Sequence, residues 1–311
     1  MLQTVSRTFF SVLAGNQTLK ALASRYGMQG RGSFARRFIA GETVEEAIDA
    51  ARRIEAAGLH VTLDLLGESV ASIPEADAAT RSYIRMLGAI ADAGVERNVS
   101  LKLTQLGLNV DRATCVDNLR RILDAAAARD FFVRIDMEGS AFTAVTLDVF
   151  ETMWQLGYRN AGTVLQSYLL RSEGDAVRMN ALGARVRLVK GAYKEPKDIA
   201  YQSKTEVDAA FVRIMKVLMT GGIFPAIATH DPSMIAATRA FAFERQIPAA
   251  NYEFQMLYGI RRDLQSKLQT EGCQMRVYVP FGREWFPYFM RRLGERPANI
   301  GFVIRGVLGE R

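Results

Sequence analysis

The stretch His60-Val-Thr-Leu-Asp-Leu-Leu66 opens a pattern that recurs to the end of the chain. Branched and aliphatic residues alternate in it with polar ones, which is the period of a strand. A helix is expected directly after it, around residues 74–93, closed by Gly94. Strand-like runs then return at Val99–Leu103, Phe131–Met137, Gly162–Gln166, Val186–Lys190, Ile223–Thr229, Asn251–Gln255 and Met275–Val279. Helical stretches of about 12 to 25 residues separate most of them. Eight strands alternating with helices in 311 residues imply an α/β chain folded as a parallel (β/α)8 barrel. A doubly wound open sheet is the fallback.

Upstream of the first strand, Thr43-Val-Glu-Glu46 has the form of a capping box. Val44, Ala47, Ile48, Ala51 and Ile54 follow at helical spacing, and Gly58 is the expected stop. Residues 1–40 read as one or two helices broken near Gly27–Gly32. No composition shift or Pro/Ser-rich linker divides the chain. The expected organisation is therefore an N-terminal helical arm, residues 1–58, on a single barrel, residues 59–311.

At the other end, Pro280, Phe281 and Gly282 are expected to break the last strand. A helix from about Glu284 to Glu295 follows and lies over the barrel mouth. Tyr288, Arg291, Arg292 and Glu295 fall at i, i+3, i+4 and i+7, so they share one face, and Tyr278 at the strand end can meet them. Two adjacent guanidiniums can grip one carboxylate or phosphate; a solvated pair on a surface helix is the other reading.

Composition is globular, with 49% hydrophobic and 23% charged residues. Two cysteines, Cys115 and Cys273, are too few for a disulfide framework and suit a reducing compartment. No CxxC or Cys/His cluster offers a metal site, and no apolar run is long enough for a membrane span. The net charge is +7, and it is unevenly placed. From Met1 to Gly41 there is no acid, but there are Arg7, Lys20, Arg25, Arg31, Arg36 and Arg37. A transit peptide, a surface for anionic lipid or nucleic acid, and an ordinary basic helix all fit this bias. No nucleic-acid motif accompanies it.

In a barrel, side chains at the C-terminal ends of the strands line the mouth where ligands bind. Those ends deliver Asp64 or Glu68, Lys102, Asp136, Gln166, Lys190, Thr229 and His230, Glu253 or Gln255, and Tyr278. A mouth with Lys102, Arg187, Lys190, Arg291 and Arg292 suits a small anionic substrate, a phosphorylated cofactor, or both. Thr229-His230-Asp231 before a helix start could hold a phosphate, and His230 could equally be a satisfied core residue. Asp231-Pro232 reads as an N-cap followed by proline. Two enzyme readings survive: flavin-dependent oxidation of a small amino or hydroxy acid, and a Schiff-base lyase or aldolase using Lys190 or Lys102. A non-catalytic membrane-surface binding protein is a third.

The chain also resembles the proline dehydrogenase family, in particular its short monofunctional bacterial members. The resemblance runs through Arg36-Arg-Phe-Ile-Ala-Gly-Glu-Thr43, Leu63-Asp-Leu-Leu-Gly-Glu68, Leu165-Gln-Ser-Tyr168 and Arg187-Leu-Val-Lys-Gly-Ala-Tyr193. It continues in Ala228-Thr-His-Asp231, Tyr252-Glu-Phe-Gln-Met-Leu257, Tyr278-Val-Pro-Phe-Gly282, Tyr288 and Arg291-Arg292. One departure is Arg296-Pro297 after Glu295, where the family often shows Glu-Asn.

The resemblance implies a distorted TIM barrel with noncovalent FAD at the strand C-termini. It implies oxidation of L-proline to Δ1-pyrroline-5-carboxylate, with hydride passing from C5 to flavin N5 and electrons then to a membrane quinone. This is the first step of proline catabolism to glutamate, upstream of a pyrroline-5-carboxylate dehydrogenase. By the same resemblance Arg291, Arg292 and Lys102 hold the substrate carboxylate, and Tyr278, Tyr288 and Leu257 pack on its ring. Asp136 orients Arg291 or Lys102, and Glu68 pairs with Arg291 as a gate. Arg187 lies near flavin N5. Gln166, Val189, Lys190, Gly191, Ala192, Thr229, His230, Arg292 and Glu295 hold the rest of the cofactor. Tyr278 leaves little room for a 4-hydroxyl, so proline is expected to be preferred over hydroxyproline. The basic arm matches the family, which disfavours a transit peptide and implies a cytoplasmic protein peripheral on the inner membrane face, with no nucleic-acid partner.

Overall fold

The computed structural model describes residues 35–295, and the side chains as far as Arg292. The helices expected before residue 35, the tail after Glu295 and the side chain of Glu295 lie outside the described residues. Helix α1 (Val44–Glu55) starts at the expected capping box. Thr43 accepts from the Glu46 amide, and Glu46 accepts from the Thr43 amide in return. The chain then alternates without exception: β1 (His60–Leu65), α2 (Ile73–Ala93), β2 (Asn98–Leu101), α3 (Arg112–Ala127), β3 (Phe132–Ile135) and α4 (Ser140–Gln155). It continues with β4 (Ala161–Gln166), α5 (Ser172–Leu182), β5 (Arg185–Val189), α6 (Lys204–Gly221), β6 (Ala226–Ala228) and α7 (Pro232–Glu244). The last elements are β7 (Glu253–Leu257), α8 (Arg262–Thr270), β8 (Met275–Phe281) and α9 (Trp285–Glu295).

The eight strands close in sequence order into one parallel barrel, with β8 pairing β1 in the register Leu63↔Val279. Helix α1 lies against β8 and β1. Along the strands, one set of alternate residues packs outward under the helices. Val133 and Ile135, Val186 and Leu188, Phe254 and Met256, and Val277 and Val279 are all buried there. The other set points to the barrel axis, and much of it is charged.

Two strand boundaries depart from expectation with consequences. β8 runs on through Pro280 and Phe281, because the Pro280 carbonyl still accepts from the Ala40 amide and Phe281 still pairs with Leu65. β7 starts at Glu253, two residues late, because Pro248 leads into a short 3-10 turn over Ala249–Asn251. Glu253 therefore stands at the floor of the barrel, not its mouth, and Leu257 takes the mouth position.

A second core lies over β8. Phe38 and Ile39 of the segment before α1 pack with Trp285, Phe286, Phe289 and Met290 of α9. Backbone bonds tie the same segment to the strand end, Ala40 to Pro280 and Gly282 to Gly41, each at 2.9 Å. The Trp285 indole donates to Glu42 at 3.1 Å. Gly259 lets this strap cross: its φ is +72°, and a Cβ there would collide with the Arg37 carbonyl. The end of β8 thus has a tertiary cause as well as a local one.

The floor is an ion cluster. Arg276 Nε donates to both oxygens of Glu253, at 3.1 and 3.0 Å, and its NH1 donates to Glu96 at 2.7 Å and to the Val61 carbonyl at 2.6 Å. Glu96 also accepts from the Val61 amide at 2.9 Å and faces His60 Nδ1 at 3.3 Å. Burial works to raise the Glu96 carboxyl, but the His60 hydrogen bond, the Arg276 charge and the backbone amide outweigh it and hold it at about 2. A carboxyl depressed in the folded state contributes stability that is present above its ordinary value near 4.5 and lost as pH falls toward 2. Glu96→Gln is expected to lower the urea midpoint near neutral pH, with the gap to the wild type closing between pH 4.5 and 2. A gap of the same size at both ends of that range would refute the assignment.

Candidate active site

At the C-terminal ends of the strands the barrel opens into a cavity of about 560 Å³. Lys102, Asp136, Leu257, Tyr278, Tyr288, Arg291 and Arg292 line it, so every side chain expected at the substrate meets in one place. Gln166, Arg187, Val189, Lys190, Gly191, Ala192, Thr229 and His230 line it as well. These residues come from β2, β3, β4, β5, β7, β8 and α9, or from the turns that follow the strands. Glu68 lines a second cavity, of about 450 Å³, between the β1–α2 turn and α9. Lys102, Tyr288 and Arg291 border both spaces. Between them Glu68 accepts from Arg291 NH1 at 2.5 Å.

Arg187 is the centre of the cavity floor. It is 4% exposed and donates through three nitrogens: Nε to Gln255 at 2.5 Å, NH1 to Asp136 at 2.6 Å and NH2 to Ser100 at 3.1 Å. Its guanidinium also lies 5.2 Å from the centre of the Tyr278 ring. The Tyr278 hydroxyl donates to the other oxygen of Asp136 at 2.8 Å. Burial, with the charges of Asp136 and Asp64, pushes this phenol well above its ordinary value, so it keeps its proton and can donate it to Asp136. Asp136 therefore holds Arg187 and Tyr278. It does not hold Arg291, which pairs with Glu68, and it stands 3.9 Å from Lys102.

Lys102 has a closer partner in Asp64, at 3.2 Å. Burial works against its charge, but the carboxylates of Asp64 and Asp136 outweigh that and raise the ammonium above its ordinary value. Asp64 is itself fully buried, and that burial pushes its carboxyl up against the pull of Lys102. A Schiff-base lysine needs its pKa depressed, so Lys102 is unsuited to that chemistry. Lys190 is unsuited for a related reason: Asp208 and Asp231 hold its ammonium at 2.5 and 2.7 Å. The aldolase reading has no amine nucleophile here.

His230 sits at the mouth of β6, where the Leu257 amide donates to its Nε2 at 2.9 Å. A ring nitrogen that accepts carries no proton, so the imidazole is neutral with its hydrogen on Nδ1. Asp231 caps α7 by accepting from the Ser233 amide at 3.0 Å, with Pro232 behind it, as the sequence suggested.

Two features suit a large bound group. Gln166 Oε1 is buried beside the cavity with no hydrogen-bond partner among the described residues. Gly191 has φ +108°, and any Cβ there would collide with the Tyr168 ring, so its backbone comes to the cavity wall bare.

Sequence reasoning offered Asp64 and Gln255 as strand-end candidates beside Glu68 and Glu253 but gave them no role at substrate or cofactor, and it did not single out Tyr193. Tyr193 lines the cavity, and burial pushes its phenol up to about 12. The signal for Gln255 was present: Arg185 and Arg187, Glu253 and Gln255, and Arg276 and Tyr278 put polar groups at every second position of a strand.

A family model described as "Proline dehydrogenase" matches residues 47–305. The chain is 42% identical to "Proline dehydrogenase 1" of Bacillus subtilis (strain 168), over 97% of this chain and 99% of that one. It is 40% identical to "Proline dehydrogenase" of Deinococcus radiodurans, over 89% and 90% of the two chains. Among solved structures, it superimposes on proline utilization A from Bdellovibrio bacteriovorus inactivated by N-propargylglycine, with a TM-score of 0.79 at 29% identity. That match covers 88% of this chain and 33% of the longer one.

Proposed function

The chain belongs to the proline dehydrogenase family, and on that premise we propose that it oxidises L-proline to Δ1-pyrroline-5-carboxylate in the cavity described. The observation that carries the reading is the meeting of Arg291, Arg292 and Lys102 with Tyr278, Tyr288 and Leu257 around one space. The cations match a single carboxylate, and the flat and aliphatic faces match a small apolar ring. Noncovalently bound flavin adenine dinucleotide would supply the hydride acceptor for proline C5, with a membrane quinone as the onward electron acceptor. The residues that would hold it are Gln166, Arg187, Val189, Lys190, Gly191, Ala192, Thr229, His230 and Arg292. The unpartnered Gln166 oxygen and the bare Gly191 backbone support that fit.

The protein's part is to bind, orient and exclude water. Arg291 and Arg292 fix the carboxylate end, and the Tyr278 and Tyr288 rings fix the plane of the substrate. Hydride can leave only when the amine is unprotonated. Lys102 and Arg187 near the site favour that form, because neighbouring positive charge lowers an amine pKa. Closure uses Arg291 twice, for the carboxylate and for Glu68, so substrate binding and the gate share one side chain. In the same reading residues 1–58 form the arm and residues 59–311 the catalytic barrel. The basic arm contacts anionic lipid from the cytoplasmic side; among the described residues no helix is long and apolar enough to cross a membrane. The product passes to a pyrroline-5-carboxylate dehydrogenase.

The purified protein is expected to show flavin absorption near about 450 nm that bleaches anaerobically on adding L-proline. A protein that stays colourless after incubation with FAD, or a flavin that proline does not bleach, would overturn cofactor or substrate respectively. Arg292→Met is expected to raise KM for proline about 10- to 100-fold, the equivalent of one charge-assisted bond of about 1.5–3 kcal/mol. An unchanged KM would remove Arg292 from the carboxylate site. Because Tyr278 is pinned by Asp136, kcat/KM for proline should exceed that for 4-hydroxyproline by about tenfold or more. Comparable turnover of the two would show that Tyr278 does not set the choice.

A further inference from the structure

Gln255 occupies a position that needs a side chain able to donate on one side and accept on the other. It is 3% exposed and lies between two groups of opposite demand. Glu253, on its floor side, is a carboxylate paired with Arg276 and can only accept. Arg187, on its cavity side, can only donate. The Gln255 Nε2 donates to Glu253 at 2.5 Å while its Oε1 accepts from Arg187 Nε at 2.5 Å. The two partners thus fix which way the amide faces. Behind Glu253 stand Arg276 and Glu96, so the amide is the head of a spine, Glu96–Arg276–Glu253–Gln255–Arg187, that runs up the barrel axis.

The links from Arg276 upward are buried, and each uses a directional bond in a low-dielectric interior, where such bonds are strong and breaking one leaves an orphan. A guanidinium has five N–H groups. Asp136 and Ser100 engage one nitrogen each at its fork. The bond at Nε fixes the remaining rotation, about the side-chain stem. With all three made, the fork has a single orientation toward the cavity.

We propose that Gln255 is a positioning residue, whose amide sets the orientation of Arg187 and through it the rate of the reaction. The proposal rests on the reading of the cavity as the proline-oxidising site. Both polar atoms of Gln255 are engaged by protein groups, so its effect is assigned to the orientation of Arg187.

Two substitutions separate positioning from packing. Gln255→Met keeps the volume and loses both bonds. Gln255→Glu places a second carboxyl against Glu253; the two share one proton, so the new side chain can still accept from Arg187 and donate to Glu253. Positioning predicts that Q255E outperforms Q255M, whereas a packing role predicts the reverse. In the holoenzyme, assayed with a dye acceptor, Q255M is expected to lose up to about 100-fold in kcat with KM for proline changed less than about threefold. In an Arg187→Lys background the same Q255M change should cost less than about twofold, since the residue it orients is gone.

A second readout does not need turnover. The Arg187 Nε–H resonance, identified by its loss in R187K, should shift and exchange faster with solvent in Q255M and stay protected in Q255E. If Q255M does not fold, Gln255→Asn, one methylene too short to reach both partners, takes its place. Q255M matching the wild type in kcat, losing as much in the R187K background, or leaving the Arg187 resonance unmoved would overturn the proposal. A wild type that fails to oxidise proline would instead sink the functional reading, and the resonance alone would then decide whether Gln255 holds Arg187.

Discussion

Arg187 cannot be buried alone. A guanidinium taken out of water costs several kcal/mol unless every donor finds an acceptor of good geometry. Here three strands supply those acceptors: Asp136 from the end of β3, Ser100 from β2 and Gln255 from β7. The requirement then propagates. Asp136 must satisfy its second oxygen, which takes the Tyr278 hydroxyl. Gln255 must satisfy its amide nitrogen, which takes Glu253, and Glu253 must be neutralised by Arg276. An ordinary barrel fills its axis with layers of aliphatic side chains. This one fills it with a connected set of charges, and removing any member would leave another unpaired. The mouth is thereby held in one arrangement without any ligand to organise it.

The upper half of the site depends on a different device. α9 brings Tyr288, Arg291 and Arg292 over the mouth but lies outside the ring of helices that the barrel itself packs. Its apolar face needs cover, and the segment before α1 supplies it through Phe38 and Ile39. This segment is therefore more than an appendage to the barrel. The bare backbone of Gly259 and the bond from Trp285 to Glu42 keep it in place. Burying Trp285 completely at this junction ties the position of the arginine pair to the packing of a segment far away in sequence. Glu68 of the β1–α2 turn reaches across to accept from Arg291 of α9, a contact that can open without disturbing this core.

The fold was legible because its signals are local. The Thr43–Glu46 box, the Asp231 cap and the left-handed Gly94 each act within a turn of chain. The alternating strands were legible for the same reason. The boundaries that moved did so under tertiary pressure: Pro280 stays in β8 because Ala40 and Leu65 are there to pair with its neighbourhood. The cavity residues were legible as strand-end polar groups and as one face of α9. Their pairings were not. Whether Asp136 would meet Arg291, Lys102 or Arg187 depends on barrel stagger, which no strand encodes by itself. Arg276 and Ser100 were missed because attention to strand ends ignores the inward positions below them, although polar residues at every second place were visible on β5, β7 and β8.

The pairings also limit what chemistry the protein can perform by itself. A general base needs a free lone pair within reach of the proton it takes. Asp136 has committed one oxygen to Arg187 and the other to Tyr278. The accepting nitrogen of His230 is spent on the Leu257 amide. Asp64 is buried behind Lys102, and Glu68 is spent on Arg291. Tyr278 and Lys102 are held in their protonated forms. Among the described residues these groups are thus engaged by protein partners, and several are poised to hold a proton. A substrate must therefore arrive with its amine already unprotonated, or lose that proton under the influence of the nearby cations. In the proposed oxidation this is no defect, because the bond that breaks is C–H with departure of hydride, and the protein's contribution lies in geometry and charge. The same accounting explains why the axis is built so tightly: a site that works by placement has most to lose from a side chain that can turn.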